Sequence, residues 1–250
     1  MVPWLQDPQE PFPPTAKALG QDSDAPGLLA AGGDLSLWRL REAYSRGIFP
    51  WYGPGQPVLW WSPDPRMVLQ TAHFKLSRSL RKTVARFART PGCEIRVDRD
   101  PADTMRCCAG AQREGQNGTW IVPEMLEAYA GWSCVHGIEA WVDGELAGGL
   151  YGISLGRMFF GESMFSRRSD GSKIALAALI CMCRELDIAW IDCQQNTKHL
   201  ASMGAFEVTR DEFERHLAES VPLPAPQRWA FEPRLWQHLG IALPAALNEP

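Results

Sequence analysis

The chain has 250 residues, 45% of them hydrophobic and 22% charged, with a net charge of −4. That composition suits a soluble globular protein with a substantial core, and no run approaches the roughly 20 apolar residues of a membrane span. Seven cysteines include the vicinal Cys107-Cys108 and Cys181-x-Cys183 but no Cys-x-x-Cys pair, which argues against a zinc site or a disulfide framework and for a reducing cytoplasm.

The proline-rich start of the chain lacks the apolar stretch of a secretory signal. Asp34-Leu35-Ser36 offers an N-cap for a helix over 37–46, with Leu37, Leu40 and Tyr44 on one face and Gly47 ending it. Residues 48–61 mix aromatics with Pro and Gly, and Ser62-Pro63-Asp64-Pro65-Arg66 reads as a linker. The expected division is a small N-terminal domain over 1–65, a larger one over 66–232, and a C-terminal tail over 233–250.

From Lys75 to Arg89 the pattern is helical, with Leu76, Leu80, Val84 and Phe87 on one side and Arg78, Lys82, Arg86 and Arg89 on the other. Eleven Lys/Arg face four acids between Arg66 and Arg113, a net +7 in a chain of −4. A solvated face and a phosphate-binding face both fit this block.

Pro123 suits the first turn of a helix to about Ala130. Strands follow over 137–142, 145–153 and 157–165, the first two joined by the hairpin turn Asp143-Gly144. Then come a helix over 171–186, a strand over 188–193 and a helix capped by Asn196-Thr197 that ends at Gly204. The order β-β-β-α-β-α predicts an α/β (α+β) fold, with an acyl-CoA N-acyltransferase-like domain built on a mixed sheet flanked by helices.

Two of these strands carry polar groups that a core strand disfavours, Glu162 on one and Asp192 and Gln194 on the other. Glu162 suits a cationic substrate group or, alternatively, an ion pair with Arg157, Arg167 or Arg168. Asp192 and Gln194 stand at i,i+2 and share a face, with Cys193 pointing away as a buried thiol. His199, on the next helix, is better placed to cap or pack than to catalyse. Acyl-CoA-dependent acetyltransferases carry Arg/Gln-x-x-Gly-x-Gly/Ala before the core helix, whereas this chain has Arg168 and Gly171 but Lys173 in place of the small residue. Coenzyme A is therefore not expected; a different anion at the helix N-terminus, or plain capping by Asp170 or Ser172, fits.

The chain resembles the bacterial leucyl/phenylalanyl-tRNA–protein transferases. The resemblance rests on Gly27-Leu-Leu-Ala-Ala-Gly-Gly-Asp34, Gly47-Ile-Phe-Pro-Trp51, Leu59-Trp-Trp-Ser-Pro-Asp-Pro-Arg66 and Ser77-Arg-Ser-Leu-Arg-Lys82. It continues through Thr119-Trp-Ile121, Glu145-Leu-Ala-Gly-Gly-Leu-Tyr-Gly152, Phe160-Gly-Glu-Ser-Met-Phe-Ser166, Ile191-Asp-Cys-Gln194 and His199-Leu-Ala-Ser-Met-Gly-Ala205. The stretch Ala130 to Glu139 is three residues shorter than the family's usual form and lacks the first of its two histidines, while His136 and Glu139 align.

The resemblance implies transfer of Leu or Phe, and also Met, from aminoacyl-tRNA to the α-amine of proteins starting with Arg or Lys, which marks them for degradation. No cofactor, metal or membrane is implied. Asp192 and Gln194 would be catalytic, holding and aiming the amine, and Glu162 would join them in binding the acceptor's N-terminus. Trp51, Trp120, Tyr129, Phe159 and Ile191 would form the aminoacyl and adenosine pocket, about half of them lining it. Arg66, Arg78, Arg81 and Lys82 would bind tRNA. The competing functions are transfer from another aminoacyl-tRNA or to another acceptor such as a cell-wall precursor, conventional acetyl transfer, and non-catalytic tRNA binding.

Overall fold

The computed structural model describes residues 2–7, 9–111 and 120–243. Arg113 and Thr119, which belong to the basic block and to one resemblance motif, lie outside the described residues. The fold is mixed α/β and contains two sheets.

The first sheet holds β1 (Trp4–Leu5), β2 (Leu28–Gly32), β3 (Phe49–Pro50) and β4 (Leu59–Trp61) in the order β1-β2-β4-β3. Between β2 and β3 runs α1 (Leu37–Ser45), capped as its sequence predicts by the Ser36 hydroxyl, which accepts from the Arg39 N–H. Gly47 then turns the chain at φ +71°. Leu40 and Tyr44 are buried, but Leu37 is exposed because the first turn of α1 stands clear of the core.

The second sheet has seven strands: β5 (Arg66–Gln70), β6 (Cys93–Val97), β7 (Val135–Val142), β8 (Glu145–Leu155), β9 (Met158–Ser166), β10 (Trp190–Gln194) and β11 (Phe206–Val208). Their order is β11-β5-β10-β9-β8-β7-β6. The helices are α2 (Arg78–Arg89), α3 (Pro101–Ala109), α4 (Pro123–Ala130), α5 (Gly171–Glu185), α6 (Lys198–Ser202) and α7 (Arg210–Ser220). The predicted meander, core helix, strand and capped helix are present as β7 to β9, α5, β10 and α6. The expected linker ends differently: Arg66 opens β5, beside β10, and its side chain is 1% exposed.

α5 is buried along most of its length, and close glycine contacts let its N-terminus sit on β8. A Cβ at Gly171 would lie 2.2 Å from the Ala147 carbonyl oxygen, and one at Gly148 would lie 2.6 Å from the Gly171 carbonyl carbon. The Ser166 hydroxyl accepts the Ser172 N–H at 2.9 Å, and Asp170 pairs with Lys173. The start of α5 is therefore occupied by its own neighbours.

Residues 233–239 form a 3-10 helix that packs on α5 through Leu235, Trp236 and Leu239. Arg81 donates to the Leu239 carbonyl, Arg89 to the Ala242 carbonyl and Arg184 to the His238 carbonyl.

Candidate functional site

β9 and β10 run parallel, joined by α5, and pair only from Trp190–Met158 to Asp192–Phe160. Beyond that rung β10 bulges between Asp192 and Gln194 and keeps only its pairing with β5, with Gln194 at φ +61°. The parallel strands separate there. Glu162 continues along β9 past the last rung, and Gln194 ends β10. A cavity of about 600 Å3 lies at this opening, lined by Trp51, Trp120, Leu150, Met164, Leu176, Ile191 and others, with Glu162, Asp192 and Gln194 among them. Gly161 also lines it, where a Cβ would meet the Asp192 carbonyl oxygen at 3.2 Å.

Glu162 is 7% exposed. Its Oε1 accepts from the Tyr44 hydroxyl at 2.8 Å and from the Gln194 side-chain amide at 2.8 Å. Tyr129 and Tyr44 are linked hydroxyl to hydroxyl at 2.8 Å, so three groups from α4, α1 and β9 form one chain. Oε2 is buried and has no hydrogen-bond partner among the described residues. Burial pushes the Glu162 carboxyl up from the ordinary 4.5 to about 8; the bond from Tyr44 opposes this, and the charge of Asp192 adds to it. The Tyr44 and Tyr129 hydroxyls are raised well above their ordinary range by burial and by Glu162. Arg157, Arg167 and Arg168, the ion-pair alternatives, bond instead to the Leu186 carbonyl, the Cys107 sulfur and Glu145.

Asp192 requires a correction. It is fully buried, with Oδ1 accepting from Arg66 Nε at 2.8 Å and Oδ2 from Arg66 Nη2 at 2.6 Å. Oδ1 also takes the Gln194 backbone N–H at 2.8 Å. Both oxygens are engaged in a bidentate, charge-assisted pair, so Asp192 is committed first to Arg66 rather than standing open in the cavity. Its bond to the Gln194 N–H ties it to the end of β10. Arg66 is corrected with it: its third nitrogen donates to the Gly47 carbonyl at 3.0 Å, and its guanidinium lies 4.7 Å from the ring centres of both Phe49 and Phe213. A guanidinium so enclosed cannot reach a phosphate.

Of the five expected pocket residues, Trp51, Trp120 and Ile191 line the cavity. Trp51 is held by its carbonyl, which accepts the Trp61 indole N–H at 2.6 Å. Tyr129 is fully buried and acts through Tyr44 rather than as a wall. Phe159 is a correction: it does not line the cavity but is fully buried, with its ring centre 5.5 Å from that of Trp229. Cys193 lines the cavity, but burial and the nearby Asp192 push its thiol far up, which suits the inert reading. His199 is exposed at the same cavity.

The basic block sorts into three groups. Arg96, Arg99 and Arg106 pair with Glu94, Glu139, Asp103 and Asp100. Arg81 and Arg89 bind the C-terminal carbonyls described above. Arg78, Lys82 and Arg86 are exposed on α2, with no ion pair among the described residues.

The sequence reading missed Tyr44 as a site residue. Its place on the apolar face of α1 concealed its hydroxyl, although a tyrosine buried at that position requires a polar partner. A more open cleft of about 1210 Å3 lies between the first sheet and α4, lined by Trp4, Asp34, Tyr52 and Glu124 among others. No buried polar atom without a partner lines it among the described residues, whereas Glu162 Oε2 belongs to a residue of the smaller cavity.

Comparison with known sequences gives the family of the chain. Residues 68–218 match the sequence model of the Leucyl/phenylalanyl-tRNA protein transferase family, and residues 33–64 match its N-terminal domain. The chain belongs to the leucyl/phenylalanyl-tRNA–protein transferase family. The transferase of that name from Leptothrix cholodnii is 60% identical over 245 residues, covering 96% of each chain. The one from Methylibium petroleiphilum is 59% identical over 244 residues, 96% of this chain and 92% of that one. A leucyl/phenylalanyl-tRNA–protein transferase is an aminoacyltransferase, acting between aminoacyl-tRNA and protein. Among the described residues no helix is long and apolar enough to cross a membrane, and no three His, Cys, Asp or Glu side chains gather as a metal site.

Proposed function

We propose that this transferase moves Leu or Phe, and also Met, from aminoacyl-tRNA to the α-amine of proteins that start with Arg or Lys. The new peptide bond marks the acceptor for degradation in the cytoplasm. The observation that carries the proposal is a cavity with apolar walls whose lining includes the buried Glu162, one carboxylate oxygen of which has no hydrogen-bond partner among the described residues.

The donor is an ester and the product an amide, so transfer runs downhill without a further energy source. The leucyl or phenylalanyl side chain enters between Trp51, Trp120 and Ile191. Gln194 spends its NH2 on Glu162, which leaves its amide oxygen to accept from the acceptor's amine. Asp192 and Arg66 fix the end of β10 and with it that oxygen; positioning of this kind contributes about 7–11 kcal/mol in the best cases. The ribose hydroxyl beside the ester can relay a proton from the attacking amine to the leaving oxygen. Arg78, Lys82 and Arg86, with Arg81 at their edge, face the acceptor-stem phosphates. In this reading residues 1–65 are the N-terminal domain, 66–232 the catalytic domain and 233–250 the tail, whose first part straps α2 to α5.

The test is incubation with labelled Leu-tRNA or Phe-tRNA and an Arg-starting peptide. Label is expected in the peptide. No labelling, or equal labelling of a peptide with a neutral first residue, overturns the reading.

A further inference from the structure

Glu162 is placed for more than holding a charge. Its Oε1 is saturated by two donors, the Tyr44 hydroxyl and the Gln194 amide, each at 2.8 Å. Its Oε2 is the orphan, buried and without a partner among the described residues, on a residue that lines the cavity. A buried carboxylate oxygen left bare is costly unless it carries a proton or meets a cation. Gln194 and Glu162 are in contact, so an N-terminal α-ammonium held on the Gln194 amide oxygen comes next to the Glu162 carboxyl, whose remaining oxygen is Oε2.

We propose that Glu162 is the proton acceptor of the transfer reaction, taking one proton from the acceptor's α-ammonium on Oε2. This rests on the transferase reading above and deepens it. The α-ammonium N–H bond breaks and its proton passes to Oε2. The nitrogen lone pair forms the new C–N bond at the ester carbonyl, and the C–O bond to the tRNA ribose breaks. A second proton from the nitrogen reaches the ribose oxygen as it leaves, so the products are an amide N–H, a free ribose hydroxyl and protonated Glu162. Glu162 then returns its proton to solvent.

The surroundings suit this task. An α-amine has an ordinary pKa of about 7.7–8.0, and a base works best when matched to its partner and to the operating pH. Burial pushes Glu162 to about 8, which makes the transfer nearly balanced. The groups facing it are Tyr44 from α1, Gln194 and Asp192 from β10, and Arg66 from β5, with Tyr129 from α4 behind Tyr44. Tyr44 and Gln194 donate to Oε1 and therefore support the ionised form without blocking Oε2. Asp192 and Arg66 neutralise each other.

The experiment compares wild type with Glu162→Gln, using Phe-tRNA and an Arg-starting peptide, with kcat and KM measured from about pH 6 to pH 9.5. A lost general base lowers kcat on the order of 100-fold near neutral pH. The loss should shrink as the amine deprotonates unaided. It should nearly vanish when the peptide carries an aminooxy group in place of its α-amine, since that group is unprotonated near neutral pH. A raised KM with kcat within about threefold would mean that Glu162 only holds charge, and overturns the proposal. So does an equal kcat loss at every pH and with the aminooxy peptide, which marks a structural part. Tyr44→Phe is the second variant; it removes one donor from Oε1 and should move the pH limb of kcat upward, and an unmoved limb counts against the proposal. If the wild type itself labels no peptide, the transferase reading fails rather than this one.

Discussion

Arg66 and Asp192 meet nitrogen to oxygen twice, at 2.8 and 2.6 Å, with neither side chain more than 1% exposed. The pair ties β5 to the bulged end of β10. Removing one partner leaves the other as an unpaired buried charge, so Arg66→Met should cost about 3–5 kcal/mol in a denaturant titration. Replacing both, Arg66→Met with Asp192→Leu, should recover most of that loss. It should not recover transfer, because the Gln194 N–H then loses its acceptor; full activity in the double variant contradicts the positioning role.

Glu162 also makes stability depend on pH in an unusual direction. Its folded pKa of about 8 lies above the ordinary 4.5, so the folded state holds a proton that the unfolded state has lost in between. Stability therefore falls as pH rises through that window, by up to about 1.4 kcal/mol per pH unit from this group. Glu162→Gln should match wild type near pH 4.5 and melt progressively higher than wild type towards pH 8. A thermal-melt series that shows no divergence contradicts this environment for the carboxyl.

Tyr44→Phe should act oppositely on the same carboxyl. The Tyr44 bond lowers the Glu162 pKa, so its removal raises it further and deepens the alkaline loss of stability. Melting curves at about pH 7 and pH 9 test the sign directly.

The exposed face of α2 predicts a salt-dependent effect. Arg78→Ala, Lys82→Ala or Arg86→Ala should each reduce the slope of log affinity for tRNA against log salt by about 0.7–0.9. Arg96→Ala should leave the slope unchanged, because that side chain is paired with Glu94 and lies 4.2 Å from the Trp141 ring centre. Equal effects from all four would mean that the face has been misassigned.

Gly152 sits at the bulge between β8 and β9, where a Cβ would stand 2.3 Å from the Phe160 carbonyl oxygen and 2.4 Å from the Phe159 ring. Gly152→Ala should cost about 3 kcal/mol, the upper end for an overpacked site. A neutral effect in denaturation would show that β9 can yield there.

The sequence made the large sheet's meander and its core helix legible, since Asp-Gly turns, alternating strands and an apolar helix leave strong local marks. It also exposed the site strands, because Glu162, Asp192 and Gln194 interrupt otherwise apolar runs. It did not show which polar groups would satisfy each other. Arg66 looked like a linker charge because its partner is 126 residues away and Ser62-Pro63-Asp64-Pro65 precedes it. Reading Arg66 as the first residue of the apolar Met67-Val68-Leu69 run would have placed it inside. Phe159 was misplaced because it is covered by Trp229, a residue 70 positions further along the chain that no local pattern connects to it. Tyr44 was seen as packing only. Its partner Tyr129 lies 85 residues further along, and no local pattern encodes a hydroxyl relay.

That relay crosses from α1, which belongs to the first sheet's segment, into the strands of the second. The cavity's one available carboxylate is thus half-dressed by residues on each side of the change of sheet. A fragment starting at Arg66 would keep Glu162 and Gln194 yet lose the hydroxyl of Tyr44 and the Gly47 carbonyl that anchors Arg66. The two segments are therefore poor candidates for exchange between distant relatives, and substitutions at Tyr44 and Glu162 should travel together through the lineage.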